Sequence, residues 1–139
     1  MDIYCSYVSS RKINGAHLSH KIQNTIYREY AKSNNIFIGL GYTEYIMNDC
    51  FLMLTKLINE ISNYNGVIVY SYNQLESQDN LIYFIKKILS KNKSIHFVNE
   101  NLVIRNRKDV EPLLISNFID SLNYQNLLKI NEKYRTKFF

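Results

Sequence analysis

Tryptophan is absent from this 139-residue chain, proline occurs once, cysteine twice and glycine four times. Cys5 and Cys50 are too few for a disulfide framework, and no CxxC or HxxxH spacing is present, so a metal centre is not expected. The segment Lys12-Ile13-Asn14-Gly15 is not a phosphate-binding GxxxxGK[ST] loop, and no GxGxxG occurs. No dinucleotide or other cofactor is therefore expected. Low-complexity linkers and internal repeats are missing too. No apolar run reaches membrane-spanning length and no secretory leader is recognisable, which predicts a cytoplasmic protein without membrane insertion. Two reduced thiols fit that setting.

Apolar residues make up 46% of the chain and charged residues 21%, the balance of an ordinary globular domain. The length suits one domain over residues 1–139, with a core to about residue 107 and a helical segment over about 108–136. Tyrosine is the abundant aromatic, with twelve copies. Its apolar body and polar tip suit a cleft or a subunit interface, although an AT-rich genome also enriches it. The net charge is +5. Its lysines are scattered, with loose concentrations at Lys86, Lys87, Lys91, Lys93 and at Lys129, Lys133, Arg135, Lys137. Neither forms an arginine stripe interleaved with aromatics, so they read as solvated helix faces and nucleic acid is not expected as a partner.

Strand-like runs alternate with helical patterns. Ile3-Tyr4-Cys5-Ser6-Tyr7-Val8, Ile36-Phe37-Ile38-Gly39-Leu40, Val67-Ile68-Val69-Tyr70 and Ile95-His96-Phe97-Val98 are short apolar runs. A first helix is predicted from about Ala16 to Lys32, with Leu18, Ile22, Ile26 and Tyr30 on its inner face. A second begins near Asn48 or Asp49, either a competent N-cap, and turns Phe51, Leu54, Leu57, Ile58 and Ile61 inward. A third runs from about Gln78 to Ser90. After the fourth strand comes a short extended piece, Leu102-Val103-Ile104, and Asp109 caps the C-terminal helix. The order β-α-β-α-β-α-β-(β)-α predicts a small three-layer α/β fold, a parallel sheet flanked by helices.

Each strand-like run is followed by a polar cluster: Ser9-Ser10-Arg11, Gly41-Tyr42-Thr43-Glu44-Tyr45, Ser71-Tyr72-Asn73-Gln74 and Asn99-Glu100-Asn101. In open parallel sheets ligands sit outside the carboxyl ends of the strands, so the clusters are expected to meet there. Ser9 and Ser10 offer hydroxyls that bind anions or act as nucleophiles. Arg11 adds a fork suited to phosphate or carboxylate. His20 is a candidate general acid or base, and Gln23, Asn24 and Arg28 extend its polar helix face. Glu44 is the weightiest carboxylate, placed to accept sugar hydroxyls, to pair with Arg11 or to act as a base. Thr43, Tyr45, Ser71, Gln74 and Glu100 complete the ligand-binding set. Structural alternatives stand beside these: loop serines satisfying backbone groups, a surface histidine, a capping glutamate.

These residues also carry a resemblance. Ser9-Ser10-Arg11, Gly15, Gln23-Asn24, Arg28-Glu29-Tyr30, Thr43-Glu44-Tyr45, Met47, Tyr70-Ser71 and Glu100-Asn101-Leu102 look like the sporadic carbohydrate cluster family of bacterial surface-polysaccharide gene clusters. The likeness spans about Tyr4 to Asp109; it departs at Lys12, where relatives have proline, and at Ser19-His20, where they have Pro-Gln. It implies lipopolysaccharide or capsule synthesis, with a sugar or sugar nucleotide as ligand and the reaction, if any, left open. A non-catalytic partner of a glycan enzyme is the alternative it leaves.

A fainter likeness is to the serine recombinase catalytic domain. Tyr7-Val8-Ser9 resembles its YxRVS segment, and Gly66 to Leu75 resembles the strand before its DRLGRS loop. This implies a resolvase-like fold. Tyr7 stands where the motif has arginine, and Asn73, Gln74 and Ser77 replace the charged loop residues, so a degenerate domain with residual nucleic-acid affinity ranks third. The C-terminal apolar set, Leu113, Leu114, Phe118, Ile119, Leu122, Leu127, Leu128 and Ile130 with Phe138 and Phe139, predicts a homo-oligomer, by default a symmetric dimer.

Overall fold

Ser19 decides where the first helix begins. Its Oγ accepts from the Ile22 N–H at 3.2 Å and its carbonyl from Gln23 N–H at 3.0 Å, so α1 spans His20–Ser33 instead of starting near Ala16. The computed structural model describes residues 2–12, 17–45 and 50–115. Along α1 the buried stripe is Gln23, Tyr27 and Ala31, one position round from the expected one, and Ile22 is left 48% exposed. Polar tips with partners on the sheet explain the rotation: the Tyr27 hydroxyl donates to the Tyr7 carbonyl at 2.5 Å, and Gln23 bonds the backbone of Ser9.

The strands are β1 (Asp2–Ser9), β2 (Ile36–Glu44), β3 (Gly66–Val69), β4 (Ser94–Phe97) and β5 (Leu102–Ile104), in the order β2-β1-β3-β4-β5. The first four are parallel. β5 returns antiparallel to β4, because the intervening turn is too short for a crossover. Asn101, at φ 53°, donates its N–H to the Val98 carbonyl and closes that turn. β2 runs beyond Leu40, so Gly41 to Glu44 belong to the strand and not to a loop. A register shift between Tyr4 and Ser6 accommodates the longer strand, and Ser9 then pairs with Glu44.

Side chains alternate across the sheet. Cys5, Tyr7, Val67, Val69, Ile95 and Phe97 face the larger core, which is closed by α2 (Leu52–Glu60) and α3 (Gln78–Ser90) through Leu54, Leu57, Ile58, Leu81, Phe84, Ile85 and Ile88. Tyr4, Val8 and Ile68 face α1 and Tyr27 on the other side. The result is three layers. Burial pushes the Cys5 thiol up to about 12, so this cysteine is an inert core residue.

Asn106 caps the 3-10 turn Arg107–Asp109 that follows β5 and leads into the helical residues. Its side chain accepts from Lys108 N–H, while Asp109 reaches back to the backbone N–H of Asn106 and Arg105. Residues 110–115 are helical and Leu113 is buried. Gly15, Met47, the N-cap candidates Asn48 and Asp49, and the apolar positions from Phe118 to Phe139 lie outside the described residues. Among the described residues no helix is long and apolar enough to cross a membrane, and no three His, Cys, Asp or Glu side chains group as a metal site.

Candidate functional site

Parallel strands bring their carboxyl ends to one edge, and a continuous run of hydrogen bonds follows that edge from β2 to the β4–β5 turn. Glu44, buried at the end of β2, takes the N-cap role at α2 that Asn48 and Asp49 were expected to fill. Its Oε2 accepts from Met53 N–H at 2.9 Å and its Oε1 from Leu54 N–H at 3.4 Å. Phe51, at the cap position itself, contributes no side-chain bond. A carboxylate held at a helix N-terminus also complements the helix dipole.

The Tyr7 hydroxyl donates to Glu44 Oε1 at 3.4 Å and accepts from Arg11 Nη1 at 2.6 Å. Burial raises the Tyr7 phenol well above its ordinary range against the opposing pull of the Arg11 charge, so it stays protonated.

Arg11 is 7% exposed and its fork is occupied. Nε pairs with Glu76 Oε1 at 2.9 Å, Nη1 also donates to Ser9 Oγ at 3.2 Å, and Nη2 donates to the Cys50 carbonyl. The guanidinium carbon lies 4.0 Å from the centroid of the Phe51 ring. An arginine so engaged ties β1 to the start of α2 and to Glu76, and its donors are not presented to a ligand. The sequence placed it near Glu44 as a partner; the carboxylate it pairs with is Glu76.

From Ser9 the bonds continue inward. Gln23 accepts from Ser9 N–H at 3.4 Å and donates to the carbonyls of Ser9 and Leu18 at 2.8 Å each. Its Oε1 also accepts from Gln74 Nε2 at 2.8 Å. Gln74 in turn accepts from Ser71 N–H, and Ser71 Oγ donates to Glu100 Oε1 at 3.0 Å. Glu100 further accepts from Tyr72 N–H at 2.8 Å. Ser9, Gln23, Ser71 and Gln74 are wholly buried.

Ser10 turns the other way. It is half-buried, and its Oγ lies 2.5 Å from His20 Nε2. The His20 ring packs beside Tyr45, which is 73% exposed, with centroids 5.6 Å apart. Thr43 is half-buried opposite Val8 on β2. Asn24 and Arg28 are exposed along α1, and Arg28 Nη2 donates to Thr25 Oγ1 at 3.5 Å. Thus Ser9, Arg11, Gln23, Glu44, Ser71, Gln74 and Glu100 form an internal polar layer, while Ser10, His20 and Tyr45 lie at its surface. Tyr7, Phe51 and Glu76 are the members that sequence reasoning missed, since only the folded chain brings them to Arg11.

Two solved structures share this arrangement of elements. The N-terminal catalytic domain of TP901-1 integrase is 22% identical with a TM-score of 0.61, covering 94% of this chain and 96% of that one. A resolvase family site-specific recombinase from Streptococcus pneumoniae is 12% identical with a TM-score of 0.64, covering 97% and 99%. The fold is resolvase-like. Protein-family models and curated proteins, searched by sequence, give no match.

These similarities overturn the assignment to surface-polysaccharide biosynthesis, the sugar or sugar-nucleotide partner and the expectation against nucleic acid. Of the strings that suggested a sugar site, Ser9, Arg11, Gln23, Glu44 and Ser71 are internal, while Asn24, Arg28, Glu29, Tyr45 and Asn101 are exposed. Gln23 and Glu44, expected to hold sugar hydroxyls, direct their polar atoms at Ser9, Leu18, Gln74, Tyr7, Met53 and Leu54. Scatter of lysines along a sequence does not by itself exclude a nucleic-acid partner, because it says little about their distribution on a folded surface.

Proposed function

We propose that this chain is a nucleic-acid-binding domain built on the recombinase catalytic fold, with its Ser10–His20 edge toward the phosphate backbone. The observation that carries the reading is the end-to-end correspondence with two recombinase-class domains, nearly complete in both directions. The net charge of +5 supports it, since neutralised phosphates supply most of non-specific affinity. Lys12 and Lys21, both exposed, flank Ser10 and His20 in sequence. Strand exchange is not part of the proposal: Tyr7 is buried where the resembling motif has arginine, and Arg11 is engaged internally.

The test is fluorescence anisotropy with a labelled DNA duplex of about 30 base pairs between 50 and 200 mM salt, concentrations over which such affinities fall steeply. Binding in the micromolar range should weaken linearly on a log–log plot. Lys12→Ala with Lys21→Ala should reduce the slope by about 2, at roughly 0.9 per phosphate contact. Absence of binding at the lowest salt, or binding indifferent to salt, would overturn the reading.

A further inference from the structure

The core does not use up all of the apolar surface of α3. Leu81, Phe84, Ile85 and Ile88 are buried, but Ile82 and Leu89 beside them are only half-buried. With Ile85 these two stand at positions i, i+3 and i+7 of one helical face, spanning about 10 Å along the axis. Val110, half-buried after the turn that follows β5, closes the other side, and a groove of about 850 Å³ lies between. The charged residues that line it are Lys86, Arg105 and Arg107, all exposed; none of its described lining residues is acidic. Asp109, nearby in sequence, turns its carboxylate to the backbone N–H groups of Arg105 and Asn106. Ile104, which precedes Arg105, pairs with Ile95 toward the amino end of β4. The groove therefore lies at the opposite end of the sheet from the Ser10–His20 edge.

We propose that this groove docks an acidic amphipathic helix of a partner protein. Its aliphatic floor, spaced i, i+3 and i+7, matches the apolar face of a helix, whose anchors recur at the same spacing. Its rim of three cations selects glutamate and aspartate on the flanks of that helix. Charge sets aside the occupants that this chain itself could supply. Residues 116–139 carry Lys129, Lys133, Arg135 and Lys137 against Asp120 and Glu132, and a second copy brings a net charge of +5. Like charges brought together at an interface disfavour a partner. Nucleic acid matches the rim but not the floor, because a phosphate backbone presents charge and no apolar face to bury against Ile82, Leu89 and Val110.

The experiment titrates the full chain into a fluorescein-labelled peptide of about 18 residues, five helical turns, with leucine on one face and glutamate on the other. Beside it run a scrambled peptide of the same composition and a counterpart with lysine for every glutamate. The glutamate peptide should bind at least about 10-fold more tightly than either, and its affinity should fall as salt screens the rim. Lys86→Glu combined with Arg107→Glu should weaken it about 10-fold or more, and Ile82→Asn about 5-fold or more, the losses expected of residues that carry binding. These three positions are exposed or half-buried, and circular dichroism checks the fold of each variant. No binding by the full chain would overturn the proposal, whether its own C-terminal residues or a second copy fills the groove. Equal binding of the scrambled or the lysine peptide would overturn it too. Displacement of the peptide by a DNA duplex, with Ile82→Asn without effect, would assign this face to nucleic acid instead. The nucleic-acid reading of the Ser10–His20 edge is tested separately, by the Lys12 and Lys21 substitutions.

Discussion

Gln23 and Gln74 share a side-chain hydrogen bond of 2.8 Å although 51 residues separate them, and both are wholly buried. The bond joins α1 to the turn after β3 beneath the carboxyl edge of the sheet. Each amide also serves backbone groups, Gln23 those of Ser9 and Leu18 and Gln74 that of Ser71. Gln23→Leu should therefore orphan several buried polar atoms and cost about 2–4 kcal/mol, at roughly 1–3 kcal/mol for each atom left unsatisfied. Urea unfolding should show a lower midpoint at an unchanged slope. A double-mutant cycle with Gln74→Leu should give non-additivity of about 1 kcal/mol or more. Strict additivity would mean the pair is uncoupled.

Arg11 should behave as a structural clamp. Arg11→Ala removes the donors serving Tyr7, Ser9 and the Cys50 carbonyl and leaves Glu76 without its ion-pair partner. Glu76 is 30% exposed, so solvent recovers part of the loss. A destabilisation of about 2–4 kcal/mol is expected, between the cost of orphaned acceptors and that of a broken buried pair. Arg11→Lys should restore less than half of it, because an ammonium cannot reproduce the fork. Denaturant midpoints of the two variants measure this, and full rescue by lysine would contradict it.

Gly66 is sterically required. A Cβ there would meet the Ser94 carbonyl oxygen at 2.3 Å and Tyr4 Cε1 at 2.5 Å, both parts of the packed sheet. Gly66→Ala should cost about 3 kcal/mol or more, the upper range for overpacking. At Gly41 the nearest atom, Ser6 Oγ, is at 3.4 Å. Alanine at position 41 should be far milder. Thermal melts of the two variants side by side test the contrast.

His96 should make the fold acid-sensitive. It is 5% exposed, with its ring between Tyr4 and Tyr30 and its Nδ1 2.6 Å from the Tyr30 hydroxyl. Burial, aided by the Arg105 charge and opposed by Asp2, lowers its pKa from 6.5 to about 4. The unfolded chain then binds a proton that the folded chain refuses, so stability falls as pH drops from about 6.5 to about 4 and levels off below. The loss should not exceed about 3–4 kcal/mol, at 1.36 kcal/mol per pH unit. Urea midpoints across this range should slope less in His96→Gln; an equal slope would assign the acid sensitivity to other groups.

Local chemistry was enough for several elements. α3 spans Gln78–Ser90, the bounds its apolar spacing predicts, and the structure adds Ser77 as its cap. β3 is the short, wholly buried run that its uncharged β-branched residues suggest. Alternation of strands and helices likewise puts Ser9, Glu44, Ser71 and Glu100 toward one edge, because parallel strands share a carboxyl end. The face of α1 was misread, since burial of Gln23 and Tyr27 depends on partners that sit on β1 and beyond.

The roles of the polar residues at that edge were decided by tertiary structure alone. In sequence, Ser9 and Ser10 are equivalent neighbours, and Arg11 and Glu44 are equally open to a ligand, to each other or to a capping role. In the fold, Arg11 reaches Glu76 across 65 positions and Glu44 caps a helix that begins well downstream. One serine is sealed beneath these contacts while the other meets His20 at the surface. Periodicity reports which side of an element is apolar, a local property. Which hydrogen bonds a polar side chain makes depends on distances between atoms remote in the chain, and those exist only once the layers have packed.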